Sequence, residues 1–404
     1  MKSAFWRTLA IVAIVAMPTL ANANDATIGS EAAHSSMRGT TLNNTTALLN
    51  AWPHLAVYNG SGAELVSQSL VGDADDGGRA RVWWEAYDEL WLNMQVGRTD
   101  LGGQAANFLW GGNRAGDFFM PSMFGDAADN LNALDNPWIN VGIAKPLTSG
   151  AWAVNVLWAA ETNTNDAAGA DNDQTVEDSA YGYGLQASWG NGNGLHVSTE
   201  LTLQSETDES LAGGEVQSVE GDFLNFSLNA RYDTELYIYQ GSFVFGSGGP
   251  NDNTDESAFG FLANAGRFLK NEVDGQTSVE FVGSYFNLKT EPGDSEVTNT
   301  TFMIPGVRVA AWEKISDHFG IMGAVTGQYE RSSTEDLDGQ TNDGEPVDSS
   351  SGDFDYDWSA GLFAQPTENV RIDFQLVKEN LGKTLSLGNN DPLVWYLGAT
   401  VGLN

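Results

Sequence analysis

From about residue 79 to the C-terminus the chain keeps restarting one pattern, a switch between apolar and polar at every step over runs of 8–13 residues. In residues 89–97, Leu90, Leu92, Met94 and Val96 fall on one side, and Glu89, Trp91, Asn93, Gln95 and Gly97 on the other. Successive side chains of a strand point to opposite faces, so each run has one oily face and one wet face. The pattern recurs more than a dozen times with almost no helical periodicity between. It predicts strands at residues 62–70, 79–87, 89–98, 137–145, 151–160, 180–189, 195–204, 222–232, 235–245, 258–269, 276–288, 299–312, 317–330, 354–365, 369–379 and 392–403. That is about sixteen, within a range of fourteen to eighteen, joined as hairpins.

The connections alternate in length. Short turns fall at residues 146–150, 190–194, 233–234, 271–275 and 367–368. Long polar loops are expected at 99–136, 161–179, 205–221, 246–257, 289–298, 331–353 and 380–391. Short turns on one side and long loops on the other are the habit of transmembrane barrels, whose short turns face the periplasm. Aromatic residues close the oily faces: Trp152 and Trp158 bracket one, Tyr181 and Trp189 another, and Tyr237, Tyr239, Phe243 and Phe245 share a third. Indole and phenol rings favour the headgroup boundary. A soluble β-sandwich also alternates, but gives no reason for lopsided loops or aromatic strand ends. The expected fold is all-β, a transmembrane antiparallel up-and-down β-barrel with long acidic external loops.

Residues 1–23 have the grammar of an export signal. Lys2 and Arg7 precede an apolar stretch at 9–17, too short to span a bilayer. Pro18 and Ala21-Asn22-Ala23 then supply a cleavage site after Ala23. Residues 24–58 form a pre-barrel or plug segment, and 59–404 the barrel. The expected location is the outer membrane, with its lipid as a partner. The chain has no cysteine, which removes disulfides and thiolate metal sites. It carries 54 acidic against 18 basic residues, a net charge of −36. That balance disfavours nucleic acid, because phosphate binding needs clustered Lys and Arg.

The whole layout resembles a Gram-negative outer-membrane barrel of the porin kind. Residues 44–53 (NTTALLNAWP) are similar to the stretch before the first strand in the fatty-acid transporter superfamily of barrels, with Asn50-Ala51-Trp52 and then Pro53 where that family has an Asn-Pro-Ala turn. The resemblance implies uptake of hydrophobic compounds, with release after a movement of the N-terminal plug. Residues 396–404 resemble the C-terminal assembly signal of such barrels through Gly398, Val401 and Leu403, and differ at Asn404, where an aromatic residue is usual.

The strand phase places a set of charged residues on the wet, inward face: Arg79, Arg81, Glu85 and Glu89 early, His196, Glu200 and Arg231 in the middle, and Glu280, Arg308, Glu330, Arg371 and Asp373 late. A charge facing lipid at mid-depth costs about 2–4 kcal/mol, so the phase is not arbitrary. Either these groups tune a hydrated pore, or they pair across the wall and fill it. Residues 99–136 carry unusual apolar weight for an external loop: Phe108, Trp110, Phe118, Phe119, Met120, Met123 and Phe124. Three readings stay open for them: an inward constriction, a capture site for a hydrophobic ligand, and structural packing on the rim. Among the acidic loops, Asp336, Asp338, Asp343 and Glu345 faintly suggest calcium ligands, against which solvated loops are the simpler reading. No other metal and no cofactor is indicated. Four histidines, with His196 and Ser198 two apart on one strand, make a poor nucleophile and base, so no enzyme is expected. The function expected is a passive pore for small solutes. The alternatives are hydrophobic uptake and a non-transporting barrel that displays acidic loops. The solute and the oligomeric state are not written in the sequence.

Overall fold

The computed structural model describes residues 49, 52–70, 76–98, 138–166, 175–191, 194–212, 215–251, 254–272, 274–292, 296–340, 346–378 and 393–403. Residues 1–23, the apolar loop at 99–136 with Phe108, Trp110, Phe118, Phe119, Met120, Met123 and Phe124, and the carboxylates Asp343 and Glu345 lie outside these.

Sixteen antiparallel strands close into one barrel. They are β1 (Ser61–Leu70), β2 (Asp76–Tyr87), β3 (Leu90–Arg98), β4 (Trp138–Leu147), β5 (Gly150–Asp166), β6 (Thr175–Gly190), β7 (Leu195–Ala212) and β8 (Glu215–Asp233). Then follow β9 (Tyr237–Asn251), β10 (Thr254–Glu272), β11 (Gly275–Pro292), β12 (Val297–Ser316), β13 (Phe319–Gln340), β14 (Pro346–Thr367), β15 (Val370–Lys378) and β16 (Leu393–Leu403). Each strand pairs with its sequence neighbours, and β1 pairs with β16 from Ser61↔Leu403 to Leu70↔Val394. Closure leaves no free edge, the condition for a sheet in hydrocarbon.

Every stretch read as a strand from its alternation is a strand. The connections are a correction. Most residues assigned to the external loops at 161–179, 205–221, 246–257, 289–298 and 331–353 continue the strands instead. β13 and β14 run 22 residues each, and their ladder carries on through Ser332↔Ser351, Ser333↔Ser350 and Thr334↔Ser349. Alternation reports only the part of a strand that faces hydrocarbon. Beyond it, backbone pairing needs no oily face, and Thr and Ser suit an exposed ladder. Asp336 and Asp338 therefore sit in the extended strand β13 and not on a coiled loop of the calcium-binding kind.

The faces sort as the phase requires. Outward positions are exposed and oily, as with Tyr181, Tyr183, Leu185 and Trp189 on β6. Inward positions are buried and mostly polar in the middle of the wall: Gln95, Asn155, Gln186, Asn264, Thr326 and Gln375. Nearer the periplasmic turns the inner wall becomes apolar. Ile238, Phe268, Ala310, Trp312, Met322, Ala324 and Phe363 form one cluster; Leu49, Ala56, Trp83, Trp91, Ala144 and Ala153 form another. Trp83 lies flat against β1, where a side chain at Gly62 would stand 2.3 Å from its ring.

Candidate functional site

The chain enters the barrel through a short 3-10 helix, Pro53–Val57. Proline occupies its first turn, where a missing N–H costs nothing. The Trp52 carbonyl accepts from Leu55 N at 2.9 Å and starts the turn. This element lies against the inner wall of β2 to β6, with Trp52, Pro53, His54 and Ala56 all buried. Ala56 and Leu55 pack into the cluster around Trp83, Trp91 and Ala153.

His54 is the fastening point. Its backbone N–H donates to Ser188 Oγ at 3.2 Å, and its Nδ1 is 2.9 Å from the same hydroxyl. Its Nε2 is 3.0 Å from Nδ1 of His196, with the two rings stacked at 5.2 Å between centroids. The Trp52 ring sits beside them, under the Arg231 guanidinium at 5.4 Å, a cation–π contact. Gly190 makes this approach possible. A Cβ there would meet His54 Nε2 at 2.3 Å and His196 Nδ1 at 2.7 Å. Burial, and secondarily the neighbouring His196, pull the His54 pKa from 6.5 down to about 3.

The charged inner wall is paired, in two cases across neighbouring strands and in two along a single strand. Arg81 lies 4.0 Å from Glu64 and donates to Gln95 Oε1 at 2.7 Å. Arg308 lies 3.9 Å from Glu280, which also accepts from Asn264 at 2.6 Å and from Ser278 at 3.1 Å. Arg371 donates to Asp373 at 2.9 Å and stacks over Phe363 at 4.1 Å. Arg231 donates through Nε to both oxygens of Asp233 at 2.7 Å. All four arginines are buried against the inner wall.

Several residues read from the sequence as inward take these places: Arg81, His196, Glu200, Arg231, Glu280, Arg308, Arg371 and Asp373 are buried on the inner wall. Glu89 is a correction, and Glu85 keeps the inward phase of β2 without being buried. Both are exposed at the tight β2–β3 hairpin, where Glu85 Oε1 accepts from the Glu89 backbone at 3.1 Å. Asp88 and Glu89 take φ of 44° and 64°, the positive angles a two-residue hairpin needs. Glu89 is therefore a turn residue and not the start of β3. Arg79 and Glu330 belong to β2 and β13, and their side chains lie outside the described residues. The sequence reading missed His54, Ser188 and Trp52 as one unit. Ser188 shares the wet phase of β6 with Gln186, which was legible. That His54 reaches it from 134 residues away was not.

No family model matches the chain, and no curated protein matches it. Among solved structures, a bacterial polysaccharide outer-membrane secretin aligns over 86% of this chain and 99% of its own at 8% identity and a TM-score of 0.43. CdiB from Escherichia coli aligns over 84% of this chain and 62% of its own at 10% identity and 0.43. OmpT of Vibrio cholerae aligns over 84% and 95% at 10% identity and 0.35. Likeness this low says nothing about cargo. The wall itself says more: its outer face exposes Phe, Leu, Val and Tyr on strand after strand, while the polar groups and the Arg–carboxylate pairs sit inside. Such a wall is stable only with hydrocarbon around it, which makes this chain an outer-membrane β-barrel.

Proposed function

We propose that the protein is an outer-membrane channel for small polar solutes, held shut in the present state by its N-terminal segment. The observation that carries this reading is the docking of Trp52 and His54 on the inner wall across β6, β7 and β8. The polar part of this fastening, a few hydrogen bonds and one cation–π contact, is worth a few kcal/mol, and it must break before Trp52 and Ala56 can leave the wall they are buried against. The lining beyond it is amide and hydroxyl, and its charges are neutralised by neighbours. A polar, nearly uncharged solute would cross such a wall without breaking ion pairs.

Hydrophobic uptake draws on residues 99–136, outside the described residues. The inward apolar clusters do not favour it, because they lie on the periplasmic side of a polar middle layer that an apolar solute would have to cross. A display barrel would need a bore that never opens.

Gly190→Ala separates these readings. The added methyl displaces His54 without deleting any polar group. In planar bilayers the wild-type barrel should open rarely, and the variant should stay open far longer at the same unit conductance. If neither conducts, and liposomes carrying either do not swell in a small sugar, the channel reading fails.

A further inference from the structure

The outer wall of β8, β9 and β10 is broken by a trench of about 510 Å³. Its floor is one row of small residues across three strands, Ala230↔Gly241↔Ala263, continued by Ala265. Tyr232 and Tyr239, paired across strands, make one side and Phe281 the other; all three are exposed to the membrane. The volume falls within the range of small-molecule sites, of order 300–1,000 Å³.

At the periplasmic foot of the trench stands Arg267. It is two residues beyond Ala265 on the same face of β10, and therefore about 7 Å away. It is exposed on the lipid side and paired in register with Tyr237, whose ring lies 6.0 Å from its guanidinium. Tyr237 in turn stacks on Tyr239 of the trench wall at 6.3 Å. Among the described residues no carboxylate lies within ion-pair distance of Arg267, in a chain with three times as many acids as bases. An outward charge is costly at mid-bilayer and nearly free at the interface. Arg267 and its tyrosines thus mark the headgroup level, with the trench running from there into the hydrocarbon.

We infer that this trench binds one phospholipid of the periplasmic leaflet, its phosphate on Arg267 and one acyl chain along Ala265, Ala263 and Gly241. A lipid supplies both parts that the wall presents: an anion at interface level and a flexible apolar chain continuous with it. A second copy of this chain would bring another acidic surface to the cation, but would not place a narrow apolar chain over a row of small residues.

The test uses the full-length barrel in detergent with 1-palmitoyl-2-oleoyl phosphatidylglycerol, counting retained lipid by native mass spectrometry. The wild type should keep one lipid through delipidation. Arg267→Gln should lower retention about fivefold, the worth of one basic residue at a membrane surface, and Ala265→Trp should abolish it by filling the floor. Lys145→Gln, an exposed base on β4 away from the trench, should leave retention unchanged. Equal retention in wild type and Arg267→Gln overturns the inference. So does a dimer mass that Ala265→Trp abolishes while lipid stays bound. If Ala265→Trp fails to fold, judged by heat-modifiable mobility, Arg267→Gln decides alone, because it alters only an exposed side chain.

Discussion

Among the described residues the strands fall into a longer and a shorter group, and the two groups meet different solvents along their length. β15, β16 and β1 to β4 are 9–12 residues long, while β5 to β14 are 15–22. Nine to eleven tilted residues cross the hydrocarbon, so the described part of these shorter strands is about one crossing long. A 22-residue strand extends about 73 Å, which at a tilt of about 40° rises about 55 Å and leaves about 30 Å beyond the apolar band. Inside the membrane each strand is held by the impossibility of leaving backbone groups unpaired. Above it, cross-strand pairs of about 0.2–1 kcal/mol hold the same ladder in water.

That contrast can be broken most sharply with charge pairs on one hairpin. Glu280→Ala strips the carboxylate from buried Arg308 and should destabilise the barrel by about 3–5 kcal/mol in urea unfolding from vesicles. Lys289 lies farther along β11 and pairs with Glu291 and with Glu296 at 2.9 Å, a third exposed. Lys289→Ala should leave the unfolding midpoint almost unchanged, because solvent screens an exposed pair. Similar costs for the two would mean that the projecting part of the wall is as dry as the inner wall.

The outer face gives a second, smaller contrast. Val325 is exposed to lipid in mid-strand, whereas Ser333 is exposed eight residues on along the same strand. Val325→Arg should cost about 2–4 kcal/mol and Ser333→Arg about 0.5 or less. Unfolding midpoints of the two variants locate the upper edge of the hydrocarbon on β13; equal losses would place Ser333 within it.

The smallest effect concerns the docked segment. The His54 pKa is about 3 when docked, against an ordinary value near 6.5 when released. Between those values the released form takes up a proton that the docked form refuses. Docking is therefore fully favoured above pH 6.5 and weakens steadily as pH falls toward 3. The groups facing His54 are Ser188 and His196, with Arg231 and Asp233 behind, and none offers a carboxylate to an imidazolium at hydrogen-bond distance. With no native cysteine in the chain, Ala56→Cys should be protected from thiosulfonate labelling at pH 7.5. Its labelling should rise at pH 5 relative to a Glu368→Cys control in an exposed turn. Constant protection would show that the imidazole does not control release.

Within the membrane the sequence was legible because each residue there answers to one of two solvents. Trp152, Val154 and Val156 against Ala151, Ala153 and Asn155 can be sorted by transfer free energy alone, and so strand number, phase and closure follow. The charges Arg81, Glu280, Arg308 and Asp373 were placed inward by the same rule. The signal weakened wherever that contrast disappeared. Residues 333–335 and 349–352 are exposed or half-exposed on both faces, so nothing in their composition separates a paired strand from a loop. Glu89 kept the phase of the strand although the chain had already turned.

The amino-acid order alone therefore determined that this is a cylinder of strands, which side of each strand meets lipid, and roughly how many strands there are, because those depend on periodicity along a single strand. Only the folded molecule decided how far each strand rises, that Gly190 leaves room for His54 beside His196, and that Arg267 stands at the foot of a trench shared by three strands. Those features join residues far apart in the chain or on neighbouring strands. Register and closure bring them together, and no local pattern encodes a distance across the barrel.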